Sequence, residues 1–283
     1  MKQYFNIVRE VLAEGVTKQN RTGVETLSVS GMLFKHDMDD GFPLLTTKKV
    51  PFRLVASELE FFIKGLHKKK WLQERDNHIW DEWCDPRIVS YGTDELTKDR
   101  MKKEDELGNI YGVQWRRFGV ERCNSRIEVD QLATLVNDLK TNPNSRRMIV
   151  TAWNPLELYT MALPPCHYAF QVTVDNGYLN LMWNQRSVDV ALGLPFNIAS
   201  YAILLHLLAK EAGYKEGKLV GFLGDTHIYK NHIHGLQKQL TREPKPLPFV
   251  HTPLFKSIFD WNYTDTVINN YNPHPGIKFS IAV

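Results

Sequence analysis

The chain has 283 residues, a formal net charge of +3 and 24% charged side chains, which is enough length for one large domain with a sizeable core. So small a net charge does not argue for a nucleic-acid or membrane surface, yet it is compatible with local arginine clusters that bind a small anion. Three cysteines, Cys84, Cys123 and Cys166, are too few and odd in number for a disulfide framework, which points to a reducing compartment.

The N-terminal stretch MKQYFNIVREVLAEG is amphipathic and carries acidic residues, without the continuous apolar core of a secretory signal. No run approaches the roughly 20 apolar residues of a membrane span. The expected location is the cytoplasm. Tyr4, Ile7, Val8, Val11 and Leu12 fall at helical spacing, with Gly15 as the stop. Residues 26–38 read as a strand and GFPLLTTKK (41–49) as a loop. Pro51 opens a helix running to Gly65, with Phe52, Val55, Leu59, Phe62 and Ile63 on one face. Residues 91–108 are dominated by charge and read as a solvated surface insertion.

Val129, Leu132, Leu135, Val136 and Leu139 mark a further helix, ended by Asn142-Pro143. MIVTAW (148–153) reads as a buried strand. YAFQVTV and YLNLMW read as strands joined by Asp175-Asn176-Gly177, a strong hairpin signal. Residues 195–213 are apolar almost all round, so this helix is expected at the centre. KLVGFLG (218–224) is another strand. Helices and strands mix without a regular repeat, which predicts an α+β fold with residues 1–283 as a single domain.

Several residues are candidates for chemistry. Cys166, in ALPPCHYAF, follows two prolines that fix its backbone. A thiol is a useful nucleophile only as thiolate, and Arg186 in NQRS is a candidate source of the positive field. The alternative is a small buried apolar cysteine. Glu58 borders an apolar helix face, where a carboxylate is costly unless it is paired or used. Arg21, the pair Arg146-Arg147, and Arg186 beside Ser187 suit a phosphate, whose oxygens match guanidinium forks. Arg146 and Arg147 would point to opposite faces of an ordinary strand, so a loop or a partner's pocket is needed to bring them to one ligand. His227, in GDTHIY between Asp225 and Tyr229, lacks a second histidine or cysteine at metal-ligand spacing and better suits a sugar hydroxyl.

Taken together, NRTGVETLSVSG, GFPLLTTKK, IWDEW, IYGVQWR, NSRRMIVTAWNP, MALPPCHYAFQ, QRSVDVALGLPFNIASY, GDTHIYKNH, REPKPLP and YNPHPGIKFSIAV resemble the thymidylate synthase family over nearly the whole chain. The pairing of PPCH with QRSVDVALGLPFNIASY is highly specific. The resemblance implies a mixed sheet packed by helices around a long central helix, with the sheet forming the interface of a homodimer.

It further implies that Cys166 adds to C6 of dUMP, with Arg186 as its activating neighbour. Arg21, Arg186 and Ser187 would hold the phosphate, and Arg146 and Arg147 would be donated by the other subunit. Asn197 would read the uracil O4 and N3 edge, which suits an amide that is both donor and acceptor. His227 and Tyr229 would hold the ribose 3′-hydroxyl, while Glu58, Tyr111 and Asn197 would move protons at O4 and C5. Trp80, Trp83, Asp189, Leu192, Gly193 and Ala282-Val283 match the side that takes 5,10-methylenetetrahydrofolate. That folate supplies carbon and hydride, and no metal is required.

The chain departs from the family pattern at Glu60, at GLHKKK (65–70), at Pro51 and at Ala191. Several of these fall on the folate side. The alternative activity is therefore a dUMP hydroxymethylase, in which water rather than hydride meets the exocyclic methylene. A catalytically silent nucleotide-binding regulator is opposed by the joint presence of Cys166, Glu58, Tyr111 and Asn197.

Overall fold

The protein is described here by a computed structural model covering residues 2–92, 94–122 and 125–281. In chain order the helices are α1 (Lys2–Glu14), α2 (Phe52–Ile63), α3 (Lys70–Gln73), α4 (Glu95–Lys103), α5 (Tyr111–Arg117), α6 (Gln131–Thr141), α7 (Gly193–Ala212) and α8 (Ile233–Leu240). The strands are β1 (Val16–Lys18), β2 (Thr26–Asp37), β3 (Phe118–Arg122), β4 (Ser125–Val129), β5 (Ile149–Thr151), β6 (His167–Asp175), β7 (Tyr178–Asp189), β8 (Lys215–Tyr229), β9 (Phe249–His251) and β10 (Val267–Asn269).

Six strands form one mixed sheet in the order β1-β2-β8-β7-β6-β5. Only β7 and β8 run parallel; every other neighbouring pair in the sheet is antiparallel. A parallel pair needs a crossover, and α7 supplies it. This helix packs against β7, β8, α2 and α6. Both its flanks are buried, as its continuous run of Ile, Leu and Ala requires. Gly213 ends it in the left-handed region (φ 77°). The β6–β7 hairpin turns through Asn176 and Gly177, both at positive φ, which gives the turn that matches strand twist.

The sheet's inner face carries Phe34, Phe170, Trp183 and Leu219 into the main core. Trp183 stacks on Tyr201 at 5.3 Å. Gly221 makes that possible, since a Cβ there would lie 2.3 Å from the Trp183 ring. On the outer face, Leu33, Ile149 and Phe222 remain 48–53% exposed.

The structure alters three sequence readings. Of MIVTAW, only Ile149–Thr151 form a strand, and it is the sheet edge; Met148 and Val150 are buried but Ile149 is not. The charged stretch 91–108 contains α4, capped by Asp94, whose side chain accepts from the Thr97 amide at 3.0 Å. It is not wholly solvated, because Met101 packs with Cys84 and Val89, and Leu107 is fully buried. The buried Lys69, within the unusual GLHKKK turn, donates to the carbonyls of Met101 (2.6 Å) and Trp83 (2.9 Å), so it fastens α4 to the Trp80–Trp83 turn. Finally, Val129, read as part of a helix with Leu132, Leu135, Val136 and Leu139, ends β4 instead, because Asp130 caps α6 and the helix starts at Gln131. The rest of the β3–β4 pair, the β9–β10 pair and α8 lie outside the elements read from the sequence.

Candidate active site

The parallel pair creates the site. Ser187 and Asp189 lie at the C-terminal end of β7, and Tyr229 ends β8 beside them, facing the N-terminus of α7 with Gly193 and Asn197. Because β6 is antiparallel to β7, its start, with Cys166 just before it, comes to the same end of the sheet. The start of β2 does too, since Thr26 pairs with Tyr229, and this brings the 20–25 loop and Arg21 nearby. A cavity of about 350 Å³ opens there, a size suited to small molecules.

Cys166 lines this cavity, and its thiol lies 3.8 Å from Arg186 Nη2. The two prolines before it hold the guanidinium in place: Arg186 Nε donates to the Pro165 carbonyl (2.9 Å) and Nη2 to that of Pro164 (2.8 Å). Burial pushes the thiol up, and the guanidiniums of Arg186 and Arg21 pull it down. Burial prevails, so the thiol keeps its proton near neutral pH, with the stabilising charge for a thiolate already beside it.

The Cys166 amide donates to the Tyr111 hydroxyl (2.8 Å), which leaves that hydroxyl's own proton for another acceptor. Tyr111 stacks between Phe62 (4.9 Å) and His167 (4.2 Å). Burial drives His167 down to about 3, so its ring is neutral, and it meets the Tyr201 hydroxyl at 3.0 Å. Glu58 points from α2 into the same cavity and accepts from Trp80 Nε1 at 2.8 Å. Burial raises its carboxyl to about 7, against the lowering effect of that bond, which places it where a proton-transfer group works near neutrality.

Asn197 is oriented by a chain of donors and acceptors. An indole N–H only donates, so the 3.0 Å contact of Trp183 Nε1 fixes the oxygen of Gln185. Gln185 must then turn its amide nitrogen to Asn197 Oδ1, at 2.9 Å. Asn197 is left with its own NH2 and one carbonyl lone pair for a ligand. Asp189 accepts from the amides of Ala191 (2.8 Å) and Leu192 (3.2 Å), which holds a carboxylate at the start of α7. Lys48 donates to the Ala191 carbonyl, and burial lowers its ammonium to about 8 against the attraction of Asp189.

Of the residues expected from sequence, the cavity brings together Glu58, Trp80, Trp83, Tyr111, Cys166, Ser187, Asp189, Leu192, Gly193, Asn197 and Tyr229. Arg186 is not in the lining but lies beside Cys166. His227 lies outside the lining, with Nδ1 3.0 Å from Asp225. Arg146 and Arg147 are exposed in the extended segment before β5 and do not line the cavity. Ala282 and Val283, like Cys123, fall outside the described residues. His167, Gln185, Phe196 and Ile281 line the cavity without having been expected. The QRS motif contains Gln185, but only the fold reveals what it faces. Among the described residues no group of three or more His, Cys, Asp or Glu side chains is placed to hold a metal ion.

The departures on the folate side have local explanations. Glu60 is buried but ion-paired with Lys64, and it accepts from the Tyr263 amide at 2.7 Å. Pro51 caps α2. Ala191 is fully buried and does not line the cavity.

The thymidylate synthase family model matches residues 2–283. Two thymidylate synthases, from Listeria monocytogenes serotype 4a (strain HCC23) and serotype 4b (strain CLIP80459), are each 41% identical over 317 aligned positions that cover the whole of both chains. The alignment is longer than this chain, so those relatives hold segments that it lacks. With its motifs, mixed sheet and cysteine pocket in agreement with these matches, the chain belongs to the thymidylate synthase family.

Proposed function

We propose that this enzyme methylates dUMP to dTMP, with 5,10-methylenetetrahydrofolate as donor of both the carbon and the hydride. One observation supports it above the others: Cys166, Glu58, Tyr111 and Asn197 line one cavity, with Arg186 3.8 Å from the Cys166 thiol. Cys166 attacks C6 of the base, and Arg186 stabilises the thiolate that attacks. Asn197 uses its free NH2 and lone pair on the O4 and N3 edge. Glu58 and Tyr111 manage protons at O4 and C5. Arg21, Arg186 and Ser187 take the phosphate, and His227 and Tyr229 take the ribose.

The opposite wall fits the folate. Trp80, Trp83, Leu192, Gly193 and Phe196 form an aromatic and apolar surface for a pterin, and Asp189 offers a carboxylate to its N–H donors. Asp189 also belongs to the catalytic set, because it ties that wall to the start of α7 and so to Asn197. Ala282 is assigned to the folate side as well. Hydride transfer rather than hydration is the favoured outcome, supported by the full-length match to thymidylate synthases.

The working unit is a cytoplasmic homodimer joined through the outer sheet face. Leu33, Ile149 and Phe222 form an exposed apolar face suited to a self-complementary contact. Arg146 and Arg147, free of their own pocket and next to edge strand β5, are donated to the partner's phosphate site. The test is spectrophotometric: dihydrofolate should form from the folate only when dUMP is present. Folate oxidation independent of dUMP, or none at all, would refute the reading.

A further inference from the structure

His232 takes no part in the chemistry above, yet it is 1% exposed and lies under the last described residues of the chain. Its ring sits between those of Tyr229 (5.4 Å) and Phe279 (5.0 Å). A carbonyl oxygen only accepts, so the 2.7 Å contact of Nε2 with the Ser280 carbonyl requires a proton on Nε2. Nδ1 is buried without a hydrogen bond, 3.7 Å from Asp189 Oδ1. The C-terminal strap is also seated from its own side, since the Phe279 ring lies 4.8 Å from Lys48 Nζ. The next residue but one, Ile281, lines the cavity. A single imidazole thus touches the strap that closes the pocket and faces the carboxylate of the folate wall.

Building on the synthase reading, we infer that His232 is the positioning residue that holds this strap closed and ties its closure to Asp189, so that losing it admits water at the final step. In that step hydride adds to the exocyclic methylene carbon, the electron pair moves to O4 as an enolate, and its collapse expels Cys166 as thiolate. Water reaching the same carbon forms a C–O bond instead. The same electron shift expels Cys166, the water gives up a proton, and tetrahydrofolate leaves unoxidised. The nucleotide product is then 5-hydroxymethyl-dUMP.

The experiment compares wild type, His232→Leu, His232→Gln and Phe279→Ala, with dUMP and methylenetetrahydrofolate as substrates. Nucleotide products are identified by mass spectrometry, and KM is measured for each substrate. One net hydrogen bond is worth roughly two- to ten-fold, so His232→Leu should raise the folate KM about five-fold and leave the dUMP KM unchanged. It should also release 5-hydroxymethyl-dUMP beside dTMP. His232→Gln, whose amide can reach the Ser280 carbonyl, should restore dTMP as the sole product. Phe279→Ala loosens only the strap and should reproduce the leak, which decides the matter if His232→Leu does not fold. Variants that make dTMP alone at an unchanged folate KM would overturn the inference. A wild-type enzyme that makes no dTMP would overturn the synthase reading itself.

Discussion

Replacing Glu58 by glutamine should separate stability from turnover. Burial holds this carboxyl at about 7, against an ordinary value of 4.5, with the Trp80 N–H opposing the rise. The unfolded chain loses the proton near 4.5 and the folded chain near 7. Below pH 4.5 both states keep it and nothing is lost. Between the two values the cost of holding a charge in the pocket grows, and above about pH 7 it is complete. At about 1.4 kcal/mol per pH unit that cost approaches about 3 kcal/mol, an upper bound because Glu58 borders the cavity and keeps some solvent contact. Glutamine keeps an oxygen for Trp80 Nε1 and never carries the charge. Urea unfolding of both proteins at one concentration should show Glu58→Gln more stable by up to about 3 kcal/mol at pH 8, and by less than about 1 kcal/mol at pH 5. Turnover should fall by about 10²–10⁴, the usual worth of a general acid–base group. A stability difference equal at the two pH values, or a loss at pH 8, would refute the argument.

Three other outcomes follow from the site. Cys166→Ala should bind dUMP, as read by calorimetry, and form no product; measurable turnover would remove the cysteine from the nucleophile's role. Asn197→Asp should shift preference from dUMP toward dCMP by about 10- to 100-fold, the worth of one mismatched buried hydrogen bond. Equal selectivity before and after would show that this residue does not read the base. Mixing inactive Cys166→Ala subunits with inactive Arg147→Ala subunits should recover about a quarter of wild-type activity, because each mixed dimer then holds one intact site. No recovery after confirmed subunit exchange would place Arg147 in its own subunit's site or in none.

The parts of the fold that were legible from sequence are those whose signal is local. The all-round apolar run of α7 and the Asn176-Gly177 turn between β6 and β7 each leave a pattern within a few residues. The apolar run MIVTAW resembles a central strand, whereas β5 is the sheet edge and its bonding to β6 ends with the Ala152 amide on the Tyr168 carbonyl (2.7 Å). The stretch 91–108 reads as solvated because the burial of Met101 depends on Cys84, Val89 and Lys69 arriving from elsewhere, and that of Leu107 on the main core.

The site shows the same division. PPCH and QRS mark Cys166 and Arg186, but their 3.8 Å approach depends on two strands meeting at one sheet end. The bonds Trp80–Glu58 and Gln185–Asn197 join residues 22 and 12 positions apart, and no spacing rule links them. Family resemblance supplied the first set of roles, whereas Gln185 and His232 emerge only from who faces whom. Arg146 and Arg147 escape the strand geometry that made them awkward, because both precede β5 rather than belong to it.

The central claim is tested most directly by incubating the pure protein with dUMP and 5,10-methylenetetrahydrofolate and weighing the nucleotide. The account predicts the gain of one methyl group with dihydrofolate formed in equal amount. A hydroxymethyl nucleotide with tetrahydrofolate retained, or an unchanged dUMP, would contradict it.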